Sequence, residues 1–304
     1  MRLRIGTRAS PLALAQATGV ADALRKTGVE TELVPLRTEG DRLEEARLGD
    51  AGGKGLFVRE IEEALLAGRV DLAVHSLKDL PSDLPAGLGL AAFPRREDPR
   101  DVLVTRGADG LADLPPGARV ATSSLRRRAL LLAARPDLTV VPMRGNVETR
   151  LRKLDEGDCD AIVLAAAGLA RLGRTPPHAR PLEPEEFVPA VGQGILALEA
   201  RVADLAVREA VGALDDPETR ACAVAERAFL RHLGGSCATP MAAHAMMEYA
   251  SLRMTAVVLS EDGRSSLRDG VTGAPEDAPE VGRWLAESLL AQGAAKIAVL
   301  NPVQ

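Results

Sequence analysis

Three strand-to-helix junctions of this 304-residue chain carry arginine or hydroxyl side chains where an apolar run ends. Arg8 and Ser10 follow Leu3 to Thr7, Thr122-Ser123-Ser124 leads into Arg126-Arg127-Arg128, and Arg144-Gly145-Asn146 leads into Val147 to Arg150. A helix N-terminus favours anions through its free N–H groups and its dipole. Guanidinium groups in that first turn oppose the dipole, and an anionic ligand would compensate. One such cluster alone reads equally well as a solvated basic face. Repeated at separate strand ends, the clusters point to a cleft for a ligand with several carboxylates or phosphates.

Lys78-Asp79, just after the apolar run Val70 to Val74, is the best-placed ionisable pair. A carboxylate there can stabilise a developing cation or relay a proton while the lysine holds an acid group; a structural ion pair or a helix cap is the plainer reading. Cys237 lies in Gly234-Gly235-Ser236-Cys237-Ala238-Thr239-Pro240, an irregular loop that suits a nucleophilic thiol or an inert loop cysteine. Gly52-Gly53-Lys54-Gly55 is not a phosphate-binding loop, since no Ser or Thr follows the lysine. Cys222, His232, Cys237 and His244 lie close in sequence but match no zinc spacing, so no metal is expected. His75 has no partner suggesting a hydrolase triad and reads as a supporting group.

The elements that must position these residues follow from patterning. Short apolar runs alternate with amphipathic stretches, as in α/β domains with mainly parallel sheets. Strands are expected near 3–7, 31–37, 70–74, 101–105, 119–121, 139–142 and 161–165, with helices near 12–26, 57–67, 124–134, 147–156, 222–232 and 281–292. Thr38 to Gly55 reads as a long mobile loop, and the proline-rich stretch 176–189 as a crossover. No tandem repeat is evident. Length alone predicts more than one domain.

Hydrophobic residues make up 46% of the chain and charged residues 27%, an ordinary globular balance. With a net charge of -5, one Trp, one Tyr and four Phe, the chain lacks the basic face and stacking rings of a nucleic-acid binder. Arg8 comes before any apolar stretch long enough for a signal peptide, and no stretch is long enough to span a membrane. Cys159, Cys222 and Cys237 are an odd, scattered set, which predicts reduced thiols in a cytoplasmic setting.

The motifs together resemble one family along nearly the whole chain. Ile5-Gly6-Thr7-Arg8-Ala9-Ser10-Pro11-Leu12-Ala13, Gly52 to Phe57, Ala73-Val74-His75-Ser76-Leu77-Lys78-Asp79-Leu80-Pro81 and Arg96 to Asp101 are similar to the hydroxymethylbilane synthase (porphobilinogen deaminase) family. So are Thr122 to Arg127, Arg144-Gly145-Asn146-Val147, Ala190-Val191-Gly192-Gln193-Gly194 and Leu233 to Cys237. The resemblance implies an α/β fold of three domains: two lobes resembling type II periplasmic binding proteins, and a small α+β C-terminal domain carrying the cysteine loop. The expected boundaries are 1–95 with 195–213, 100–190, and 217–304.

The resemblance also implies a transferase that deaminates four porphobilinogen molecules and joins them head to tail into hydroxymethylbilane, in tetrapyrrole (porphyrin and haem) biosynthesis. A dipyrromethane cofactor would be held by Cys237 through a thioether. Asp79 would bond pyrrole N–H groups and stabilise cationic intermediates. Arg126, Arg127 and Arg150 would bind cofactor carboxylates, with Ser76, Lys78, Thr122 and Ser124 as further donors. Arg8, Ser10, Arg144, Arg171 and Gln193 would serve incoming substrate, and Lys54 and Arg59 would belong to the covering loop. The expected enzyme is a cytoplasmic monomer with neither nucleic-acid nor membrane partner. Arg59 stands where the family often has lysine, and Met241 to Tyr249 departs from the usual glycine-containing segment. A binding module that only captures a polyanion is the main alternative, and the cysteine loop discriminates, because such a module needs no covalent anchor. A small-molecule-sensing regulator would need a DNA-binding helix pair, which neither end of the chain supplies.

Overall fold

The computed structural model describes residues 1–36, 58–235 and 239–302. They form two compact units, one of Met1–Glu97 with Ile195–Arg220 and the other of Asp98–Gly194 with Ala221–Gln304.

The first unit is built on a five-stranded sheet of order β2-β1-β3-β10-β4, where β1 is Arg2–Arg8, β2 Glu30–Leu36, β3 Leu72–Ser76, β4 Leu88–Ala92 and β10 Leu196–Arg201. Strands β2, β1 and β3 are parallel, and β10 runs antiparallel to both β3 and β4. Ser10 caps α1 (Pro11–Lys26), with Pro11 in its first turn, where proline's missing N–H costs nothing. Helix α1 buries Ala17, Val20, Ala21 and Leu24 against Leu3, Ile5, Leu72 and Leu198 of the sheet. Helix α2 (Arg59–Leu66) buries Ile61, Ala64 and Leu65 with Val70 and Ala73. Helix α6 (Leu205–Gly212), capped by Asp204, adds Val207 and Val211 to the α1 core.

The second unit repeats this plan. Its sheet has the order β7-β6-β8-β5-β9, where β5 is Asp101–Thr105, β6 Arg119–Ala121, β7 Thr139–Val141, β8 Ala161–Ala165 and β9 Ala179–Leu182. Again three strands are parallel, and the fourth is antiparallel to both its neighbours. Helices α3 (Leu125–Ala134), α4 (Val147–Asp155) and α5 (Ala166–Arg171) follow β6, β7 and β8. Ser124 caps α3 and Asn146 caps α4. Both sheets carry the same clamp. Arg4 N donates to Asp71 at 2.9 Å and its guanidinium reaches Gly68 O at 2.8 Å, while Arg119 N donates to Asp160 at 2.7 Å and its guanidinium reaches Gly157 O at 3.0 Å.

Within the second unit, residues after helix α7 (Pro217–Leu233) form an antiparallel sheet of β11 (Met241–Glu248), β12 (Ser251–Leu259) and β13 (Ser266–Gly273), covered by α8 (Ala278–Ala291). Its core centres on Phe229, Met254, Val281 and Leu285. Ala242, Val257 and Leu259 pack instead with Leu103 and Val120 of the five-stranded sheet and with Leu131 of α3.

Several expectations are corrected. The sheets are mixed rather than mainly parallel, because the strands entering from later or earlier chain segments, β10 and β5, run against their neighbours. The stretch 176–189 contains strand β9, which tolerates Pro181 because it lies at the sheet edge, where a missing N–H breaks no ladder. The path of the chain after the cysteine loop, which the sequence left open, is strand β11 over Met241–Glu248, followed by Tyr249 in a left-handed turn at φ 55°.

Candidate active site

In each unit the residues with chemical potential lie at the carboxyl ends of the parallel strands, the edge where open α/β sheets bind ligands. In the first unit β1 delivers Arg8 and Ser10, and β3 delivers Ser76 followed by a single 3-10 turn, Leu77–Asp79, that carries Lys78 and Asp79. Arg8, Ser10, Gln16, His75, Ser76 and Asp79 line one recess that opens to solvent. Asp79 is exposed and Lys78 half-buried.

Two features of this recess were not foreseen. Gln16, on the buried face of α1, donates from Nε2 to Ser76 Oγ at 2.9 Å and so fixes that hydroxyl. His75 lies under the recess with Nε2 3.0 Å from Glu199 Oε2, both side chains almost wholly buried. Glu62 on α2 is also buried. Burial pushes its carboxyl up to about 7, helped by the Glu199 charge and opposed by His75. A lone glutamate inside the apolar run Ile195 to Ala200 was the available signal, because a carboxylate there must find a partner.

In the second unit Thr122, Ser124, Arg126 and Arg127 gather at the β6–α3 junction, Arg144 and Arg150 at β7–α4, and Arg171 at the end of α5. Thr122 Oγ1 accepts from Ser124 N at 3.1 Å, and Ser124 Oγ caps the helix through Arg127 N at 3.4 Å. Arg150 Nε donates to Gly145 O at 2.7 Å, and Arg171 Nη2 to Gly194 O at 2.7 Å. Arg144 is exposed.

Arg126 and Arg127 are not displayed on a solvated face. Both are buried, and both ion-pair with the fully buried Asp101, each at 2.7 Å. They also donate to Val188 O and Val163 O, each at 2.8 Å. Gln193, fully buried, donates to Asp101 at 3.2 Å and to Pro99 O at 2.7 Å. Two guanidinium groups share one carboxylate, which leaves a net positive charge out of water. Burial pulls the Arg126 guanidinium below its usual value, Asp101 opposes that pull and Arg127 adds to it. A buried excess charge of this kind fits an anionic ligand group.

Cys237 and Lys54, and the covering loop expected over Thr38 to Gly55, lie outside the described residues. Arg59 is exposed on α2, where its Nε lies 3.0 Å from Glu63. Cys159 and Cys222 are both buried, which suits neither to nucleophilic chemistry, and burial pushes the Cys159 thiol up to about 11. Among the described residues no helix is long and apolar enough to cross a membrane.

A family model described as "Porphobilinogen deaminase, dipyromethane cofactor binding domain" matches residues 3–209, and one for the porphobilinogen deaminase C-terminal domain matches residues 220–291. The chain belongs to the porphobilinogen deaminase family. Among relatives named porphobilinogen deaminase, that of Pelobacter propionicus is 50% identical over 298 residues, covering 97% of this chain and 96% of its own. That of Syntrophotalea carbinolica is 52% identical over 297 residues, covering 97% and 94%. A solved periplasmic substrate-binding protein of an ABC transporter from Coxiella burnetii aligns with 71% of this chain and 92% of its own at 18% identity and a TM-score of 0.44. The porphobilinogen deaminase match spans the β1, β3, β6 and β7 strand ends and the dipyrromethane-binding region they belong to.

Proposed function

We propose that the chain carries out its family's reaction, the deaminative head-to-tail condensation of four porphobilinogen molecules into hydroxymethylbilane, with the first-unit recess as the place of chemistry. It is a transferase of tetrapyrrole biosynthesis that uses a dipyrromethane cofactor. The observation that supports this assignment best is the placing of Asp79 beside Arg8, Ser10 and Ser76 around one recess. A carboxylate there can accept pyrrole N–H bonds and offset the positive charge left when the substrate's aminomethyl group loses ammonia. Arg8 and Ser10, at the N-terminus of α1, suit the acetate and propionate of that substrate.

The cofactor, when bound, supplies the pyrrole carbon to which the first substrate is joined. Cys237 anchors it through a thioether. Arg126 and Arg127 meet its carboxylates with the charge that Asp101 leaves unbalanced, and Arg150, Thr122, Ser124, Ser76 and Lys78 add donors. Arg144 and Arg171 receive carboxylates of incoming substrate or growing chain. Gln193 serves by holding Asp101 rather than by touching substrate, since it is fully buried. The enzyme works as a cytoplasmic monomer without nucleic-acid or membrane partners, and its three domains follow the boundaries 1–95 with 195–213, 100–190 and 217–304.

The intact mass of purified protein tests the anchor together with the activity. The expected mass exceeds that of the sequence by a two-pyrrole unit that maps to Cys237, in protein that converts porphobilinogen with release of ammonia. A bare-chain mass in protein that still makes tetrapyrrole refutes the anchor, and no conversion by fully loaded protein refutes the activity.

A further inference from the structure

Ser76 ends β3 and stands in the capping position of the turn Leu77–Asp79, with φ -70° and ψ 122°. A serine in such a place ordinarily turns its oxygen toward a backbone N–H of the turn it precedes. Ser76 makes no such bond. Its hydroxyl is held instead by Gln16 of α1, a side chain only 5% exposed that lines the same recess. Two contacts join the pair. Gln16 Nε2 lies 2.9 Å from Ser76 Oγ, an ordinary hydrogen-bond length, whereas Ser76 Oγ is 3.4 Å from Gln16 Oε1, beyond the usual reach of a hydroxyl donor.

A hydroxyl has one proton and two lone pairs, so a partner that takes a lone pair leaves the proton for another acceptor. The shorter contact makes the Gln16 amide the donor. Ser76 thus accepts from the helix side and keeps its proton for the recess, whose lining also includes Arg8 and Ser10. With Asp79 assigned to the pyrrole N–H, the acid groups of the ligand fall to these donors.

We propose that Gln16 is a positioning residue of the reaction site, whose amide occupies a lone pair of Ser76 and so commits the Ser76 proton to a carboxylate of a bound pyrrole, whether of the cofactor or of incoming porphobilinogen. Gln16 acts through Ser76 and takes no part in the bond changes. A neutral amide suits this task. A glutamate of the same length has only acceptor oxygens, so it would draw the Ser76 proton back toward α1 and set a negative charge beside the ligand's own. A hydrocarbon side chain would leave the hydroxyl free to turn toward the N–H groups of the Leu77–Asp79 turn.

This inference rests on the reading of the recess as the reaction site and of Ser76 as a donor within it. The test is a double-mutant cycle of cofactor-loaded parent, Gln16→Met, Ser76→Ala and the double variant, each checked for cofactor content by mass and for melting temperature. Ser76→Ala should lower kcat/KM about tenfold or more, the loss of a hydrogen bond to a charged group. Gln16→Met should lower it about fivefold in the parent and less than about twofold once residue 76 is alanine, because no hydroxyl is left to orient. A merely structural role for Gln16 would cost the same in both backgrounds. Loss carried by KM assigns the carboxylate to incoming substrate, and loss carried by kcat assigns it to the cofactor. If Gln16→Met does not fold, Gln16→Glu, nearly equal in size, takes its place in the cycle, and its loss should again shrink beside Ser76→Ala. Equal losses in the two backgrounds overturn the inference alone. Parental kinetics and cofactor load in Ser76→Ala overturn it together with the role of Ser76, and a loaded parent without activity overturns it together with the assignment of the site.

Discussion

Arg127 reaches Asp101 from both Nε and Nη2, at 2.9 and 2.7 Å, in a place closed to solvent. Arg126 approaches the other oxygen of the same carboxylate at 2.7 Å. Removing the shared acid would strand two cations. Asp101→Asn is therefore expected to destabilise the second unit by about 3–5 kcal/mol, read as a lowered denaturation midpoint. Arg127→Leu should lose covalently held cofactor, since a charge-assisted partner is worth about 1.5–3 kcal/mol, and Arg127→Lys should recover part of it because lysine lacks the bidentate fork. Full cofactor content by mass in Arg127→Leu would remove Arg127 from the cofactor site.

In the proposed role, Asp79 acts on the chemical steps more than on holding the cofactor, because one exposed carboxylate does not fix a polyanion. Asp79→Asn is expected to keep the cofactor and turn over very slowly. Asp79→Glu should retain partial activity, since its charge moves by about one methylene and a shift of about 1 Å costs roughly 100-fold in rate. Steady-state rates set beside cofactor content and melting temperature separate these effects. Parental turnover in fully loaded Asp79→Asn would make Asp79 structural.

Glu62 also links folding to pH. Its carboxyl is raised from 4.5 to about 7 in the folded chain, chiefly by burial, so between those values the folded state binds a proton that the unfolded chain releases. Its contribution to stability is present below pH 4.5 and is lost as pH rises to about 7. Glutamine does not titrate. The melting temperature of Glu62→Gln relative to the parent should climb across that window and level off above it.

Gly263, at φ +70° in the β12–β13 turn, lies against helix α3. A Cβ there would stand 2.5 Å from Ala129 O and 2.6 Å from Ala133 N, both backbone atoms that cannot swing aside. Gly263→Ala is expected to cost at least about 1–3 kcal/mol, from the left-handed backbone and the collision together. Calorimetry would show it as a lowered melting temperature, and an unchanged one would mean that the turn can lift off the helix.

The parts of the fold legible in the sequence were those written locally. Apolar alternation located β1, β5 and β8, and Ser10, Ser124 and Asn146 stood where caps belong. Strand direction was not legible, because whether β10 runs with or against β3 is decided by where the chain re-enters. Strand β9 was hidden by Pro181, and α5 by its length of 6 residues. The same division holds in the site. Arg8, Ser10, Ser76 and Asp79 sit in contiguous motifs, whereas His75 and Glu199 meet across 124 residues of chain. Asp101 could have been suspected as a charge at the head of the apolar Val102 to Val104, but its two arginines are 25 and 26 residues away, beyond any local pattern.

The Arg4–Asp71 and Arg119–Asp160 clamps mean that the molecule carries its own blank. Counting forward from each aspartate, the first sheet reads Leu72-Ala73-Val74-His75-Ser76-Leu77-Lys78-Asp79 and the second Ala161-Ile162-Val163-Leu164-Ala165-Ala166-Ala167-Gly168. Leu164 stands for His75, Ala165 for Ser76 and Gly168 for Asp79. One frame has been kept twice while its reactive tip was written in one copy and left silent in the other. In the second sheet the arginines come from the neighbouring ends of β6 and β7 instead. The same frame thus ends in polar and charged side chains in one sheet and in apolar ones in the other.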